Sequence, residues 1–519
     1  MPRTPKLTYD RGTLILHPPP RGQRWIHYAT WDDRIEKFRI PASEYLPLLA
    51  ALAADNSPFD NQAAQFESLK LTQHLDRQPY RHQSEALNVW SQQQQRGVVV
   101  LPTGSGKSYL AQLAMQVTAC STLIIVPTLD LMHQWYANLE ASFPGQNLGL
   151  LGGGSRDRTP ILIATYDSAA IQAENLGDRY GLLVFDECHH LPSDFSRVIA
   201  EYSIAPYRLG ITATPERSDD RHHDLNQLIG PEVYRKTAAE LSGIALADYE
   251  VVQLKVELSA AERDRYTEVI AIRNRFLRNA KISLGGLKGW QRFVQASARS
   301  AAGRRAMQAH HEAKSIALGT EGKLTVLAEL LQQHYPDPIL VFTNDNATVY
   351  RIATTFLIPA ITHQTPVKER HAILDRFKSG VYPAIVAANV LDEGVDVPDA
   401  RIAIFLAGSG TSRQFIQRLG RILRRGSQLD KQAILYEVIA TDTVEEGTAK
   451  RRRQTNGKPA LVKQQPQPQQ LELVRPASQP DPPDSTPLQS PKAAEASQSY
   501  SSSHDRSSNN SNDASTNPP

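Results

Sequence analysis

The sequence predicts an α/β fold with two parallel-sheet domains, a helical insert between them, a small α+β domain before them and a disordered tail after them. Three observations predict this fold. Short β-branched runs alternate with segments of helical spacing in two separate blocks, which is typical of parallel sheets flanked by helices. A basic segment of helical spacing divides the two blocks. After about residue 450 the chain lacks core-forming side chains and is rich in Gln, Ser, Pro and Asn.

The composition bounds the class of protein. A length of 519 residues suggests three or four domains, and 40% hydrophobic with 21% charged residues is ordinary for a soluble protein. No stretch approaches the ~20 apolar residues that span a bilayer, and residues 1–12 lack the apolar core of a secretion signal. With only two cysteines in the chain, we expect no disulfide framework and a reducing compartment, cytoplasmic or nucleoid-associated. The sequence leaves the oligomeric state open, and a monomer is favoured.

The small domain is predicted over residues 1–74. A helix is expected over 43–55 despite Pro47. Strand-like runs, separated by proline-rich and charged turns, occur at 13–17, 24–31 and 37–40.

The other predicted boundaries follow the alternation of apolar runs. The first block covers residues 75–245, with the runs VVVLP, TLIIVP, PILIATY, LLVFDE and RLGITAT. Residues 246–318 form the basic helical insert. The second block covers residues 319–450, with PILVFT, AIVAANV, IAIFLAG and AILYEVIA. Residues 451–519 form the predicted disordered tail.

The segment LPTGSGKS (101–108) has the pattern of a phosphate-binding loop, since a β-branched run precedes it and a helical segment follows it. Glycines let the backbone turn its N–H groups toward phosphate oxygens. Lys107 is expected at the β- and γ-phosphates of ATP and Ser108 at Mg²⁺. An ordinary glycine-rich helix cap is the alternative. The residues expected to contact the nucleotide are Thr103, Gly104, Ser105, Gly106, Lys107 and Ser108.

Two carboxylates follow a buried strand. The apolar run LLVF leads directly into Asp186 and Glu187, as a parallel strand ends at an active edge. Asp186 is the expected Mg²⁺ ligand. Glu187 is expected to polarise the attacking water. The alternative, an acidic pair on a solvated loop, is disfavoured by the apolar run.

A third phosphate-binding element is predicted in QRLGRILRR (417–425). Gln417, Arg421 and Arg424 recur at i, i+4 and i+7 and therefore share one helix face. This face acts as an arginine finger only if a second domain presents it across a cleft; otherwise it contacts solvent or nucleic acid. The wide separation of the three elements favours two sheets around one nucleotide over one large sheet with a long insertion.

Several segments between residues 75 and 445 resemble the motifs of superfamily 2 DExH helicases, and they occur in the order that these helicases have. TATPERSDD and LNQLIGP, within 212–231, resemble the XPB-type branch, especially its archaeal and bacterial members. This resemblance implies two RecA-like domains, ATP as cofactor and DNA as partner. The matching segments are PYRHQSEAL (79–87), IIVPTLDLMHQW (124–135), ATYDS (164–168), GITATP (210–215), ILVFTNDN (339–346) and VLDEGVDVPDA (390–400).

The resemblance also implies residue roles. Gln83 is expected to recognise adenine, and Gly394 with Asp396 to approach the ribose and phosphates. His189, Thr212 and Thr214 are expected to couple hydrolysis to strand movement. Nucleic-acid contacts are expected from Thr128, Thr165 and Arg217. In this branch the small N-terminal domain resembles a DNA-damage-recognition module, and an inert docking domain is the alternative here.

The insert is strongly basic. Residues 261–314 contain 12 Lys and Arg against 4 Asp and Glu, and aromatic residues are interleaved with the cations. Such a surface is typical of phosphate tracking and base stacking, and contacts are expected from Arg273, Arg275 and Arg278. The alternative is a helical spacer whose aromatics pack inward. In the XPB-type branch a helical thumb occupies this region.

Taken with the resemblance, these patterns predict an ATP-dependent DNA helicase or translocase that moves 3′→5′ and acts in DNA repair or related metabolism. The alternatives are an RNA helicase, the motor subunit of a restriction system, and a nucleic-acid clamp that binds ATP without unwinding. A clamp has no need of a water-activating carboxylate, which makes Glu187 an argument against it.

Overall fold

A computed structural model describes residues 4–74, 77–217, 219–284, 286–388, 400–406, 432–447 and 462–464. The predicted ribose and phosphate contacts, Gly394 and Asp396, lie outside these ranges, as do Gln417, Arg421 and Arg424 of the arginine segment. Among the described helices, none combines the length and the apolar character needed to cross a membrane.

The N-terminal region forms a small sheet covered by one helix. The order in the sheet is β3-β4-β2-β1-β5, antiparallel except for the β1–β5 pair. Arg11 and Gly12 both have positive φ, as the two-residue turn between β1 and β2 requires. Pro47 lies in the first turn of α1, where a backbone N–H has no intrahelical acceptor. The elements are β1 (Lys6–Asp10), β2 (Thr13–His17), β3 (Thr30–Asp32), β4 (Lys37–Pro41), α1 (Tyr45–Ala54) and β5 (Asp60–Asn61).

The second sheet of the described chain is parallel except at one edge. Its order is β13-β6-β12-β11-β7-β10-β8-β9, with only β9 antiparallel to its neighbour. Its strands are β6 (Arg96–Val100), β7 (Thr122–Val126), β8 (Leu148–Gly152), β9 (Ser155–Arg156), β10 (Ile161–Thr165), β11 (Leu182–Asp186), β12 (Tyr207–Thr212) and β13 (Glu232–Arg235). Its helices are α2 (Arg81–Gln92), α3 (Lys107–Thr118), α4 (Leu129–Ser142), α5 (Tyr166–Ile171), α6 (Ala173–Leu176), α7 (Val198–Glu201), α8 (Leu225–Leu228) and α9 (Ala238–Leu241).

The central strands of this sheet are buried on both faces, because helices cover each side. Every residue of β7 and β11 is buried. The carboxyl ends of β11 and β12 lie side by side, with Asp186 paired to Ile211 in the register. This edge therefore carries the predicted acidic pair.

The insert is helical and has its own apolar contacts. The helices α10 (Ala260–Asn279) and α12 (Ala301–Gly319) pack through Tyr266, Val269, Ala309, Ala313 and Ala317. A second cluster, around the buried Phe293, joins α11 (Gly286–Ala298) to α10.

The third sheet is entirely parallel in the described residues, in the order β16-β17-β15-β18-β19-β14-β20. Together with the second sheet it confirms the predicted fold class. Its strands are β14 (Asp248–Val256), β15 (Ile339–Phe342), β16 (Ala360–Ile361), β17 (Ala384–Ala387), β18 (Ile402–Phe405), β19 (Gln432–Ala440) and β20 (Val462–Gln464). Its helices are α13 (Glu321–Gln333), α14 (Asn346–Phe356) and α15 (Val367–Lys378).

Two strands correct the expected organisation. The range 246–318, expected as a purely helical insert, begins with β14, which pairs along its whole length with β19. The tail, expected to be disordered from residue 451, contributes β20 at the edge of the same sheet. In both cases backbone pairing to an existing sheet stabilises a strand whose own sequence gives a weak signal.

An ion pair joins the domain of the second sheet to the domain of the third sheet. Arg370 on α15 lies 3.1 Å from Asp130 in the first turn of α4, and their side chains are only 12% and 16% exposed. The pair therefore connects the helix after β7 to the domain of the third sheet.

Candidate active site

The predicted phosphate-binding loop joins β6 to α3. Gly104 and Gly106 both have φ of 85°, in the left-handed region that favours glycine. Gly106 is the N-cap of α3, and a Cβ there would collide with the side-chain amide of Gln83. The loop therefore needs glycine at this position, and it leads directly into the amino end of α3, an arrangement typical of anion-binding loops.

The loop has the features of an anion-binding site. Within the described residues, the Thr103 hydroxyl oxygen is buried and has no hydrogen-bond partner. The Lys107 ammonium is buried and donates one hydrogen bond to Leu101 O at 3.3 Å. Ser108 follows in the first turn of α3. A buried cation and an unsatisfied hydroxyl fit an anionic ligand with further acceptor oxygens.

Gln83 lies directly on this loop. Its amide nitrogen donates to Ser105 O at 3.1 Å and Gly106 O at 3.2 Å, and its carbonyl oxygen accepts from Tyr80 N at 2.9 Å. His82 contacts the same loop, with its Nε2 2.9 Å from Ser105 O. The two side chains brace the loop from α2. Adenine recognition by Gln83 stays a prediction.

Asp186 and Glu187 lie buried at the end of β11. The Asp186 carboxylate accepts from Trp135 Nε1 at 2.8 Å on Oδ2 and from Glu187 N at 3.0 Å on Oδ1. Tyr166 OH donates to Asp186 O at 3.0 Å. Glu187 has φ of 48°, a left-handed conformation that turns its side chain away from the strand direction. The two carboxylates therefore point to different partners.

Charge and burial separate the pKa values of the two acids. Burial, and then the negative charge of Glu187, raise the pKa of Asp186 to about 6. Burial alone would also raise the pKa of Glu187, but Lys107 and the hydrogen bonds from His189 and Thr212 outweigh it, so this pKa is lowered. Glu187 is therefore ionised at neutral pH, as a general base must be.

A polar network extends from Glu187 to the loop after β12. Thr212 Oγ1 donates to Glu187 Oε2 at 2.8 Å, and His189 Nδ1 lies 3.2 Å from Thr212 Oγ1. Thr214 N donates to Thr212 Oγ1 at 3.2 Å. Arg217 donates from Nη1 to His189 O at 2.6 Å and pairs with Asp219. The structure thus brings His189, which follows the acidic pair, together with Thr212, Thr214 and Arg217 of the segment at the end of β12.

Thr128 and Thr165, which are also predicted to contact nucleic acid, are helix N-caps at the same edge of the sheet. Thr128 Oγ1 accepts from Leu131 N at the start of α4, and Thr165 Oγ1 accepts from Ser168 N at the start of α5. Both hydroxyls have a structural role in capping. A nucleic-acid contact by either residue stays a prediction.

The insert corrects one of the three predicted phosphate contacts. Arg273 is only 8% exposed and donates from Nε and Nη2 to Asn274 Oδ1, so it lies inside the helical packing rather than on a phosphate-tracking surface. Arg275 and Arg278 are exposed. Arg278 and Lys281 line an open groove of about 660 Å³ at the end of α10.

The aromatic residues of the insert pack mostly inward. Phe293 is fully buried, and Phe276 and Trp290 have their ring centroids 6.2 and 5.7 Å from that of Phe293. These contacts favour the helical-packing interpretation over base stacking for Phe276 and Phe293, whereas Trp290 is 37% exposed. The basic residues of the insert are a separate matter. Several of them are exposed, and their contact with phosphates stays a prediction.

Three site residues were not found from the sequence. Trp135 and Tyr166 bind Asp186 from segments 51 and 20 residues away, and His82 binds the phosphate loop. Trp135 ends a segment that was assigned only to nucleic-acid contact. Its polar N–H on an otherwise apolar helix face was the available signal, since a buried indole usually finds an acceptor.

Comparison with known proteins agrees with this geometry. Residues 7–63 match the family "Xeroderma pigmentosum group B helicase damage recognition domain". Residues 76–217 match "Type III restriction enzyme, res subunit", and residues 322–426 match "Helicase conserved C-terminal domain".

Several curated relatives carry XPB names, and two of them serve as examples. The chain is 43% identical over 373 residues to "DNA 3′-5′ translocase XPB2" of Sulfurisphaera tokodaii, covering 72% of this chain and 84% of that one. It is 29% identical over 386 residues to "DNA 3′-5′ helicase XPB" of Kineococcus radiotolerans, covering 72% and 61%.

Two solved structures share the fold. The helicase domain of Pyrococcus furiosus Hef has a TM-score of 0.50 at 18% identity, over 72% of this chain and 100% of that one. Saccharomyces cerevisiae Dbp5 bound to RNA and ADP BeF3 has a TM-score of 0.52 at 12% identity, over 75% and 90%. These two likenesses concern the fold alone, whereas the identity to the Sulfurisphaera protein establishes the family. The chain belongs to the XPB-type branch of the superfamily 2 helicases and shares its use of ATP.

Proposed function

We propose that this protein is an ATP-driven motor that translocates 3′→5′ along DNA and separates or remodels the duplex. The observation that carries the proposal is the hydrogen bond of 2.8 Å from Thr212 Oγ1 to Glu187 Oε2. It joins the proposed water-activating carboxylate to the loop after β12, so a change at the γ-phosphate reaches a segment that leads out of the nucleotide site. The names of the curated relatives support DNA as the track.

The phosphate chemistry follows from the charges around the loop. Lys107 would lie against the β- and γ-phosphates, because it is the buried cation beside both acids. Ser108 and Asp186 would hold Mg²⁺, which neutralises phosphate charge when bound. Glu187 would orient the attacking water and accept its proton. Gln417, Arg421 and Arg424 remain the proposed source of the arginine finger.

DNA binding is proposed at the charged end of the insert. Two of the four acids in residues 261–314 form ion pairs near the base of the insert, where Arg265 binds both Glu268 and Glu312. Toward the end of α10, the exposed Arg278 and Lys281 line the groove described above, and Arg275 is exposed about one turn earlier. Exposed cations along a groove favour contacts with a phosphate backbone, and these contacts are independent of base sequence.

The proposal is tested by ATPase assays with and without duplex DNA, together with displacement of a triplex-forming strand. We expect DNA-stimulated hydrolysis and displacement in the wild type. Lys107→Ala should abolish both, because nothing else in the loop neutralises the β- and γ-phosphates. The matched control is Lys70→Ala, an exposed lysine before the motor, which should leave both activities unchanged. Hydrolysis without displacement would contradict translocation.

Two alternatives are separated by the choice of substrate. The match of residues 76–217 to a restriction-enzyme subunit favours a restriction motor as the second candidate. Plasmid that is cut on incubation with the protein, ATP and Mg²⁺ would favour this candidate, whereas the proposed function predicts that the DNA stays intact. Unwinding of matched DNA and RNA duplexes should favour DNA, and a preference for RNA would instead indicate an RNA helicase.

A further inference from the structure

Trp135 contacts the site from a helix that carries no other part of the proposed phosphate chemistry. It lies in the second turn of α4 and is buried, and its indole Nε1 donates to Asp186 Oδ2 at 2.8 Å. An indole N–H can only donate a hydrogen bond, whereas a hydroxyl or a water can donate or accept one. The direction of the bond to Asp186 is therefore fixed. The bond is charge-assisted and shielded from solvent, which makes it stronger than an ordinary neutral hydrogen bond.

The two hydrogen bonds to Asp186 together fix the plane of its carboxylate. Oδ1 is held by the backbone N–H of Glu187 at 3.0 Å, and Oδ2 by Trp135. Each oxygen keeps a further lone pair for another partner. Without the indole, one oxygen would be held and the group could rotate about its Cβ–Cγ bond.

The donor also belongs to a helix with two other connections. The helix α4 begins after the N-cap Thr128, and its first turn carries Asp130, which pairs with Arg370 of the second motor domain. Trp135 lies seven helical steps beyond Thr128, a rise of about 10 Å along the helix. A shift of α4 along or about its axis would therefore move the donor that holds Asp186.

We propose that Trp135 is a positioning residue for Asp186: its indole N–H orients the carboxylate that takes Mg²⁺ and ties that carboxylate to α4. The inference rests on the proposed function, because it takes Asp186 as the magnesium ligand. Hydrogen-bond partners of metal ligands commonly determine ligand orientation, and their loss typically lowers metal affinity or activity by about 10- to 100-fold.

The test compares Trp135→Phe with Trp90→Phe. Trp90 is an equally buried tryptophan in the same domain, and its Nε1 donates to Arg208 O at 3.0 Å on the opposite edge of the sheet. Both substitutions remove an indole N–H and leave a similar gap in packing. The measurement is the affinity for a fluorescent ADP analogue, titrated once in excess Mg²⁺ and once in EDTA, with thermal melting as a check on folding.

We expect Mg²⁺ to tighten nucleotide binding in the wild type and in Trp90→Phe. In Trp135→Phe this gain should shrink by about 10-fold or more, while the affinity in EDTA stays unchanged. If Trp135→Phe fails to fold, benzothienylalanine at position 135 has the shape of tryptophan and no N–H, and it should give the same loss.

Two outcomes would overturn the inference: a full Mg²⁺ gain in both position-135 variants, or equal losses at positions 135 and 90. The first would mean that Asp186 needs no donor, and the second that packing alone is responsible. A wild type that shows the Mg²⁺ gain but no DNA-stimulated ATPase would contradict the proposed function and leave the role of Trp135 intact.

Discussion

Glu187 combines a strained backbone with a buried charge. Its φ of 48° is unusual for a side chain of this size and stores on the order of 1–3 kcal/mol. Such strain persists only where the surroundings hold the residue in place, here through Thr212 and His189. Strained residues of this kind cluster at functional sites, and this one sets the carboxylate apart from its neighbour Asp186.

Glu187→Gln should bind ATP and hydrolyse it about 10²- to 10⁴-fold more slowly, because the amide cannot accept the proton of the attacking water. The shape and the bond from Thr212 can be kept, so binding should persist and the variant should accumulate as an ATP complex on DNA. Single-turnover hydrolysis and nucleotide binding measure the two effects. Turnover at the wild-type rate would assign the base to another acid.

Thr212→Val tests the coupling of ATP hydrolysis to movement on DNA rather than hydrolysis itself. The substitution keeps the volume and removes the hydroxyl that bridges Glu187, His189 and Thr214 N. We expect basal ATPase to fall less than triplex displacement, because the carboxylate remains while its link to β12 is lost. The ratio of displacement to ATP consumed is the measurement. Thr212→Ser restores the hydroxyl and should restore the ratio, whereas equal losses of both activities would contradict a coupling role.

For single residues, the sequence predicted those site residues that belong to one short, continuous motif. The glycine loop and the pair after LLVF were recognisable because strand, loop and acid are adjacent in the chain. The partners of Asp186 were not, since Trp135 lies 51 residues away and only the packing of α4 on the sheet brings it there. Tertiary contacts of this kind depend on which helix face turns inward.

Among the elements, the insert shows how a face can be misassigned. Tyr266, Val269, Arg273 and Leu277 fall on one buried stripe of α10, at helical spacing. The spacing of the arginines alone did not show this, because it gives relative angles and not the inward direction. The apolar residues on either side of Arg273 carried the missing signal.

Replacing Arg275, Arg278 and Lys281 together with Gln should flatten the salt dependence of DNA binding by roughly two to three units of log–log slope. Each exposed cation that contacts a phosphate contributes about one unit, and basal ATPase should hardly change because the nucleotide loop belongs to other segments. Fluorescence anisotropy over a range of salt concentrations measures the slope.

Arg273→Gln is the matched comparison for that triple variant. Because Arg273 is buried and bound to Asn274, its loss should lower thermal stability and leave the salt slope unchanged. If instead Arg273→Gln flattened the slope while the triple variant did not, DNA would follow another surface of the insert.

For the whole molecule, the ion pair between Asp130 and Arg370 is a direct connection between the motor domains. Arg370→Gln and Asp130→Asn should each lower DNA-stimulated ATPase, and the double variant should be no worse than either single one, since both remove the same contact. Arg376→Gln, an exposed arginine on α15 that contacts Tyr382 of its own domain, is the control. Fully additive losses would show that the two residues act independently.

The edge of the third sheet gives the last prediction. The strand β20 pairs with Val251, Val252 and Gln253 of β14, and all three of these residues are buried. Loss of β20 would make β14 the edge strand and expose its backbone N–H and C=O groups. Truncation after Gln454 removes β20, whereas truncation after Gln464 keeps it. The shorter protein should therefore melt a few degrees lower, by about 2–4 °C for each kcal/mol lost, and should scatter more light on heating because an open strand edge pairs with other chains. The longer protein should match the full chain in both measurements and in DNA-stimulated ATPase.

Identical melting and scattering for the two truncated proteins would mean that β20 contributes nothing to the sheet, and the tail would then follow the compositional prediction from residue 451 onward.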